Sequence, residues 1–141
     1  MNDEQLIKVA IEARELSYSP YSNFKVGAAV LCKDGRIFKG ANIENASYPL
    51  CMCGERNAIY HALMENEAKE DIIALAIVAD TPSVVSPCGA CRQVIHELLN
   101  KNTRIVLANL HGDIKITNPD ELLPFAFQEG DLKRWEAVLL R

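Results

Sequence analysis

The uninterrupted apolar run from Ile72 to Ala79 limits what this chain can fold into. A strand with one wet face alternates apolar and polar residues, whereas an unbroken run reads as a strand buried on both faces. Helical patterns lie on either side of it. From Asp3 to about Tyr18, residues Leu6, Ile7, Ala10, Ile11 and Leu16 fall on one helical stripe, closed by Pro20. Further helical patterns run from about Gly54 to Asn66 and from Cys88 to about Leu99. Val26 to Cys32 reads as a strand, Asp34-Gly35 as a hairpin turn, and Arg36 to about Ala41 as the return strand. Arg104 to Asn109 and a short stretch near Ile114 to Ile116 are further strands. Asp120 to Leu123 and Leu132 to Leu140 read as short terminal helices, and Asn42 to Met52 and Asp80 to Pro87 as loops. Strands alternating with helices predict an α/β layered domain.

The chain has 141 residues, 49% of them hydrophobic, which fits a single compact domain over residues 1–141. No apolar run approaches the ~20 residues that span a bilayer. The acidic start Met1-Asn2-Asp3-Glu4 lacks the basic and apolar regions of an export signal, which predicts a cytoplasmic protein without a membrane partner. A formal net charge of −4 argues against a nucleic-acid partner, because binding phosphates needs a basic face.

Five cysteines in such a chain point to metal or catalysis before disulfides. Cys88 and Cys91 stand at i and i+3, which in a helix sets both sulfurs on one face. Pro87 precedes them, where a proline suits a helix start. Cys53 opens the other helical pattern. A helix N-terminus favours thiolates, so two such starts predict a Cys₃ pocket for a catalytic zinc with its fourth position left to water. On spacing alone, a closed structural site of Cys51, Cys53, Cys88 and Cys91 and a redox pair of Cys88 and Cys91 stay open as alternatives. Cys32, inside an apolar strand, reads as core. Glu55, two residues after Cys53, could face the metal's open position and move protons. As an isolated residue it could equally be a dipole-stabilised glutamate at a helix start.

Cys53-Gly54-Glu55-Arg56 and Pro87-Cys88-Gly89-Ala90-Cys91-Arg92-Gln93 resemble the zinc signature of the deaminases, His- or Cys-x-Glu followed by Pro-Cys-x-x-Cys. The stretches Tyr21-Ser22-Asn23-Phe24-Lys25-Val26-Gly27-Ala28-Ala29, Asn42-Ile43-Glu44-Asn45-Ala46-Ser47-Tyr48 and Leu122-Leu123-Pro124 resemble the small homotetrameric cytidine deaminases. The likeness covers residues 5–127.

This resemblance implies a three-layer α/β/α fold with a mixed central sheet of about five strands. It implies one Zn²⁺ per subunit on Cys53, Cys88 and Cys91, with Glu55 as the catalytic proton carrier. Asn42 and Glu44 match residues that hydrogen-bond the ribose hydroxyl, and Phe24 an aromatic near the pyrimidine. Gly54 matches a backbone N–H donor to the base, and Ser86 a carbonyl that receives the amino group. Phe127 matches a ring supplied by a neighbouring subunit. Arg56 matches an arginine on zinc-bound sulfur, offsetting the net charge of three thiolates on Zn²⁺. Gly54 stands where alanine is common, and Cys51 is an additional thiol left out of the ligand set. The implied reaction is hydrolysis of cytidine, and of 2′-deoxycytidine, to the uridine product and ammonia in pyrimidine salvage. The implied assembly is a homotetramer with shared active sites acting on a small nucleoside. A related zinc deaminase of another nucleoside, such as a nucleoside antibiotic, and a structural-zinc interaction protein are the competing readings.

Overall fold

The computed structural model describes residues 1–132. Strands β1 (Val26–Cys32), β2 (Ile37–Ala41), β3 (Ile72–Ala79), β4 (Arg104–Asn109) and β5 (Ile114–Thr117) form one sheet in the order β2-β1-β3-β4-β5. β3 and β4 run parallel, and the other neighbours are antiparallel. The parallel pair needs a crossover, which α3 (Gly89–Leu98) supplies. Helices α1 (Asp3–Arg14), α2 (Gly54–Met64) and the short α4 (Pro119–Leu122) complete the described elements.

β3 lies in the middle of the sheet, and the pleat divides its side chains between two cores. Leu75 and Ile77 join Ala28 and Val30 of β1, Ile105 and Leu107 of β4, and Ala58, Ile59, Ala62 and Ile95 from α2 and α3. Ala74, Ala76 and Val78 point the other way, to Ala29, Val106 and Ala108 and to Leu6, Ile7 and Ala10 of α1. The unbroken apolar run therefore follows from burial on both faces, and the layers are α/β/α as expected. Only Ile73, at the start of the strand, is exposed.

α1 begins at a capping box in which Asn2 and Gln5 bond reciprocally, with Asp3 and Glu4 in its first turn. It ends at Arg14, earlier than the expected Tyr18, and Leu16 is exposed rather than on the buried stripe. The cause is tertiary. Ser17 Oγ bonds Asn42 Oδ1 at 2.5 Å and Tyr18 N bonds the Asn42 carbonyl at 3.0 Å, which pulls the chain out of the helix toward the loop after β2. That loop carries a 3₁₀ turn, Tyr48–Leu50, and bridges Ile43 to both Tyr18 and Met52. The expected helix Leu132 to Leu140 lies, after its first residue, outside the described residues.

Two glycines set the spacing between layers. A Cβ on Gly27 would run into the α1 backbone at Ala10 and Arg14. A Cβ on Gly40 would run into the α2 backbone at Gly54 and Ala58. Backbone-to-backbone approach of this kind requires glycine. It also fixes where the start of α2 sits over the sheet. No helix among the described residues is long and apolar enough to cross a membrane.

Candidate active site

α2 and α3 both begin on cysteines. Cys53 is the N-cap of α2 and Cys88 the N-cap of α3, both in extended backbone, and neither side chain makes a capping hydrogen bond. The free first-turn amides leave positive potential at both sulfurs. Cys91 lies in the first turn of α3, fully buried. The Sγ atoms of Cys53 and Cys88 are 3.9 Å apart, those of Cys88 and Cys91 3.3 Å, and all three lie within 4.8 Å of one another. Three thiolates ~2.3 Å from a tetrahedral zinc would be ~3.8 Å apart, so the donor set fits that ion. Cys51 stands outside this group. It accepts the Asn45 N–H at 3.3 Å, and the closed four-cysteine alternative does not assemble.

Glu55, in the first turn of α2, is 5% exposed and accepts the Cys91 thiol on Oε1 at 2.7 Å. Burial raises its pKa, and the charge of Cys53 adds to the rise. The Cys91 thiol, and then the Arg56 guanidinium with Nη2 3.3 Å from the sulfur, hold the Cys53 thiol down at about 5. Its interaction with Cys53, burial and the Glu55 carboxylate push the Cys91 thiol strongly up. The negative charge thus settles on Cys53, with Arg56 as its counter-ion.

Beside the sulfurs opens a cavity of about 210 Å³, lined mostly by apolar side chains including Val26, Ile77 and Val85. Phe24, Asn42, Cys53, Gly54, Glu55, Ser86 and Cys88 also line it. The structure therefore brings eight of the expected residues to one place, counting Cys91 behind the other two sulfurs. Arg56 sits behind Cys53, away from the cavity.

Glu44 and Phe127 do not line the cavity. Glu44 accepts the Tyr21 and Ser22 amides on Oε1, at 3.0 and 3.1 Å, and the Ser22 hydroxyl on Oε2 at 2.5 Å, so it organises the loop that carries Phe24. Phe127 is exposed, its carbonyl held by Gln93 Nε2 at 2.8 Å. Asn42 is engaged by three groups of its own chain. Its Oδ1 accepts Ser17 Oγ and the Val26 amide at 2.9 Å, and its Nδ2 donates to the Phe24 carbonyl at 2.7 Å. Among the described residues, the second Nδ2 hydrogen has no partner and can meet a ligand. The supports Ser17 and Ser22 carry no sequence signal, because a serine in a loop looks the same whatever it holds.

Over residues 1–108 the chain matches the family described as the cytidine and deoxycytidylate deaminase zinc-binding region. It is 53% identical over 132 residues to a cytidine deaminase of Halalkalibacterium halodurans, covering 94% of this chain and 98% of that protein. Among solved structures, it resembles a cytidine deaminase from Burkholderia pseudomallei with a TM-score of 0.88 and 48% identity, covering 90% of this chain and all of that one. A cytidine deaminase from Mycobacterium tuberculosis matches with a TM-score of 0.75 and 35% identity over 90% of this chain and 98% of that one.

Proposed function

Because the chain belongs to the cytidine and deoxycytidylate deaminase family, we propose that it hydrolyses cytidine, and 2′-deoxycytidine, to the uridine product and ammonia in pyrimidine salvage. The observation that carries this reading is the buried Glu55 carboxylate beside three converging cysteine sulfurs at the floor of an apolar cavity.

The chemistry supplied by zinc, when bound by Cys53, Cys88 and Cys91, is Lewis-acid activation of a water at neutral pH. The rest belongs to the chain's own residues. Glu55 takes a proton from the attacking water and passes it to N3 as the water oxygen bonds C4, then takes the proton of the new C4 hydroxyl and delivers it to the amine, so that the C4–N bond breaks and ammonia leaves. A carboxylate raised by burial suits both halves of that task, because it must take a proton and then give it up near pH 7. Val26, Ile77 and Val85 exclude water from around the ring, and Phe24 packs beside it. The Gly54 N–H and the Ser86 carbonyl read the base. Asn42 reads the ribose through its second Nδ2 hydrogen, and Glu44, outside the cavity lining, through an acceptor site left after it braces Tyr21 and Ser22. Arg56 keeps negative charge on Cys53 and offsets the charge of the thiolate set.

We further infer a homotetramer in which Phe127 reaches a neighbouring site. Phe127 is 55% exposed, and Phe125 is fully exposed with φ 55°, a left-handed conformation that costs a bulky side chain ~1 kcal/mol. Two unpacked aromatics on one segment, one of them strained, suit contact with a second copy better than contact with water.

Ultraviolet absorbance of cytidine incubated with the zinc-loaded protein tests the reaction, since conversion to uridine changes the spectrum. Absence of change with cytidine and 2′-deoxycytidine would overturn it.

A further inference from the structure

Loop Asp80–Pro87 forms one wall of the cavity that Glu55 also lines, through Val85, Ser86 and Pro87. Among the described residues, the loop makes no backbone-to-backbone hydrogen bond. Its first half is fixed from the end of β4 and the turn after it, by Asn109 Nδ2 on the Thr81 carbonyl at 3.0 Å and by His111 Nε2 beside Asp80 Oδ1 at 3.0 Å. Its second half is held by one side chain. Arg92, half-buried one residue after Cys91, donates Nε–H to the Pro87 carbonyl at 2.8 Å and Nη2–H to the Ser86 hydroxyl. It also donates Nη1–H to the Leu122 carbonyl at 2.7 Å. Leu122 ends α4 with its side chain in the core, so that carbonyl is a firm anchor. One planar guanidinium thus pins the Ser86–Pro87 wall to the core and to the helix that carries two of the sulfurs. A rigid fork can fix three acceptors at once, which an ammonium on a flexible stem does not do.

Neither hydrogen bond to Ser86 and Pro87 uses the Ser86 carbonyl, which is left to accept from a ligand in the cavity. Building on the reading that this carbonyl receives the 4-amino group, we propose that Arg92 is a positioning residue for that acceptor. It touches neither base nor metal. By fixing Ser86 Oγ on one side and the Pro87 carbonyl on the other, it sets where the peptide oxygen between them points. The interaction matters most as the amine leaves, so its loss lowers turnover as well as binding.

The test compares wild type, Arg92→Gln and Arg92→Lys for zinc content, for kcat and KM with cytidine, and for inhibition by uridine, which has no amine at C4. The expected result for Arg92→Gln is full zinc content and a kcat/KM for cytidine lower by about 10- to 100-fold, the scale of a misplaced binding group. Uridine should inhibit it no more weakly than it inhibits wild type. Arg92→Lys keeps one of the contacts and recovers part of the loss. If uridine inhibition weakens in step with cytidine, if zinc is lost, or if the kinetics do not change, Arg92 only supports the fold and the inference is overturned. Should Arg92→Gln fail to fold, the same comparison on Arg92→Lys decides. Wild-type turnover reports on the reaction itself and the variant-to-wild-type ratio on Arg92; a wild type inactive on cytidine and 2′-deoxycytidine overturns both.

Discussion

Glu55 and Cys32 are both buried acids whose pKa is raised, yet one is placed to exchange protons and the other to keep its own. Glu55 opens onto the cavity and touches a sulfur. Glu55→Gln keeps the size of the side chain and removes its ability to carry a proton. We expect it to retain zinc, measured by metal analysis, while kcat falls at least 100-fold, within the range for loss of a general acid–base. Cys32 ends β1 at 1% exposure, where burial, and then the Glu67 carboxylate, push its thiol up to about 11. An unfolded thiol ionises lower, near 9, so the stabilisation is complete below that pH and is lost as pH rises through 11. The loss amounts to at most about 3 kcal/mol. Thermal melts from pH 8 to pH 11 should show a steeper alkaline fall for wild type than for Cys32→Ala; parallel curves would rule the thiol out.

At the level of elements, Gly40 governs the metal site without touching it. A side chain there must push the first turn of α2 away from β2, and Cys53 and Glu55 move with that turn. Gly40→Ala should cost about 1–3 kcal/mol in urea denaturation, as overpacking does, and should weaken zinc retention against a chelator. Unchanged zinc retention would show that α2 can tilt without disturbing its first turn. Much of this architecture was legible in the sequence, because β3 declares its two-sided burial residue by residue and the Pro-Cys-x-x-Cys spacing marks a helix start. What could not be read were the long-range ties. Leu16 keeps the helical period and still leaves the helix, since Ser17 and Tyr18 are captured by Asn42 from the far end of a hairpin. Arg92 stands in the signature itself with two of its acceptors just before it, yet the third, the Leu122 carbonyl thirty residues on, is brought to it only by folding. The bracing of Tyr21 and Ser22 by Glu44, a link between residues more than twenty apart, is another such tie.

For the whole molecule, metal and fold are coupled. Ligands gathered from two helices exist as a set only in the folded chain, so zinc stabilises that state by mass action. A free zinc concentration a thousandfold above its dissociation constant contributes about 4 kcal/mol, or roughly 10 °C in Tm for a chain of this size. Chelation should therefore lower Tm by about that amount, and zinc should restore it. Assembly is checked by sedimentation. Phe127→Ala should keep zinc and raise KM if the ring serves a neighbouring site, whereas an active monomer would remove that role. Both ligand-bearing helices begin on a cysteine at a position where serine, aspartate or asparagine would tie down the first turn. By holding metal ligands there, the chain has given up the ordinary way of closing those two ends. Newly made protein in a zinc-starved cell would carry two loose helix ends, the kind of backbone that proteases cut first.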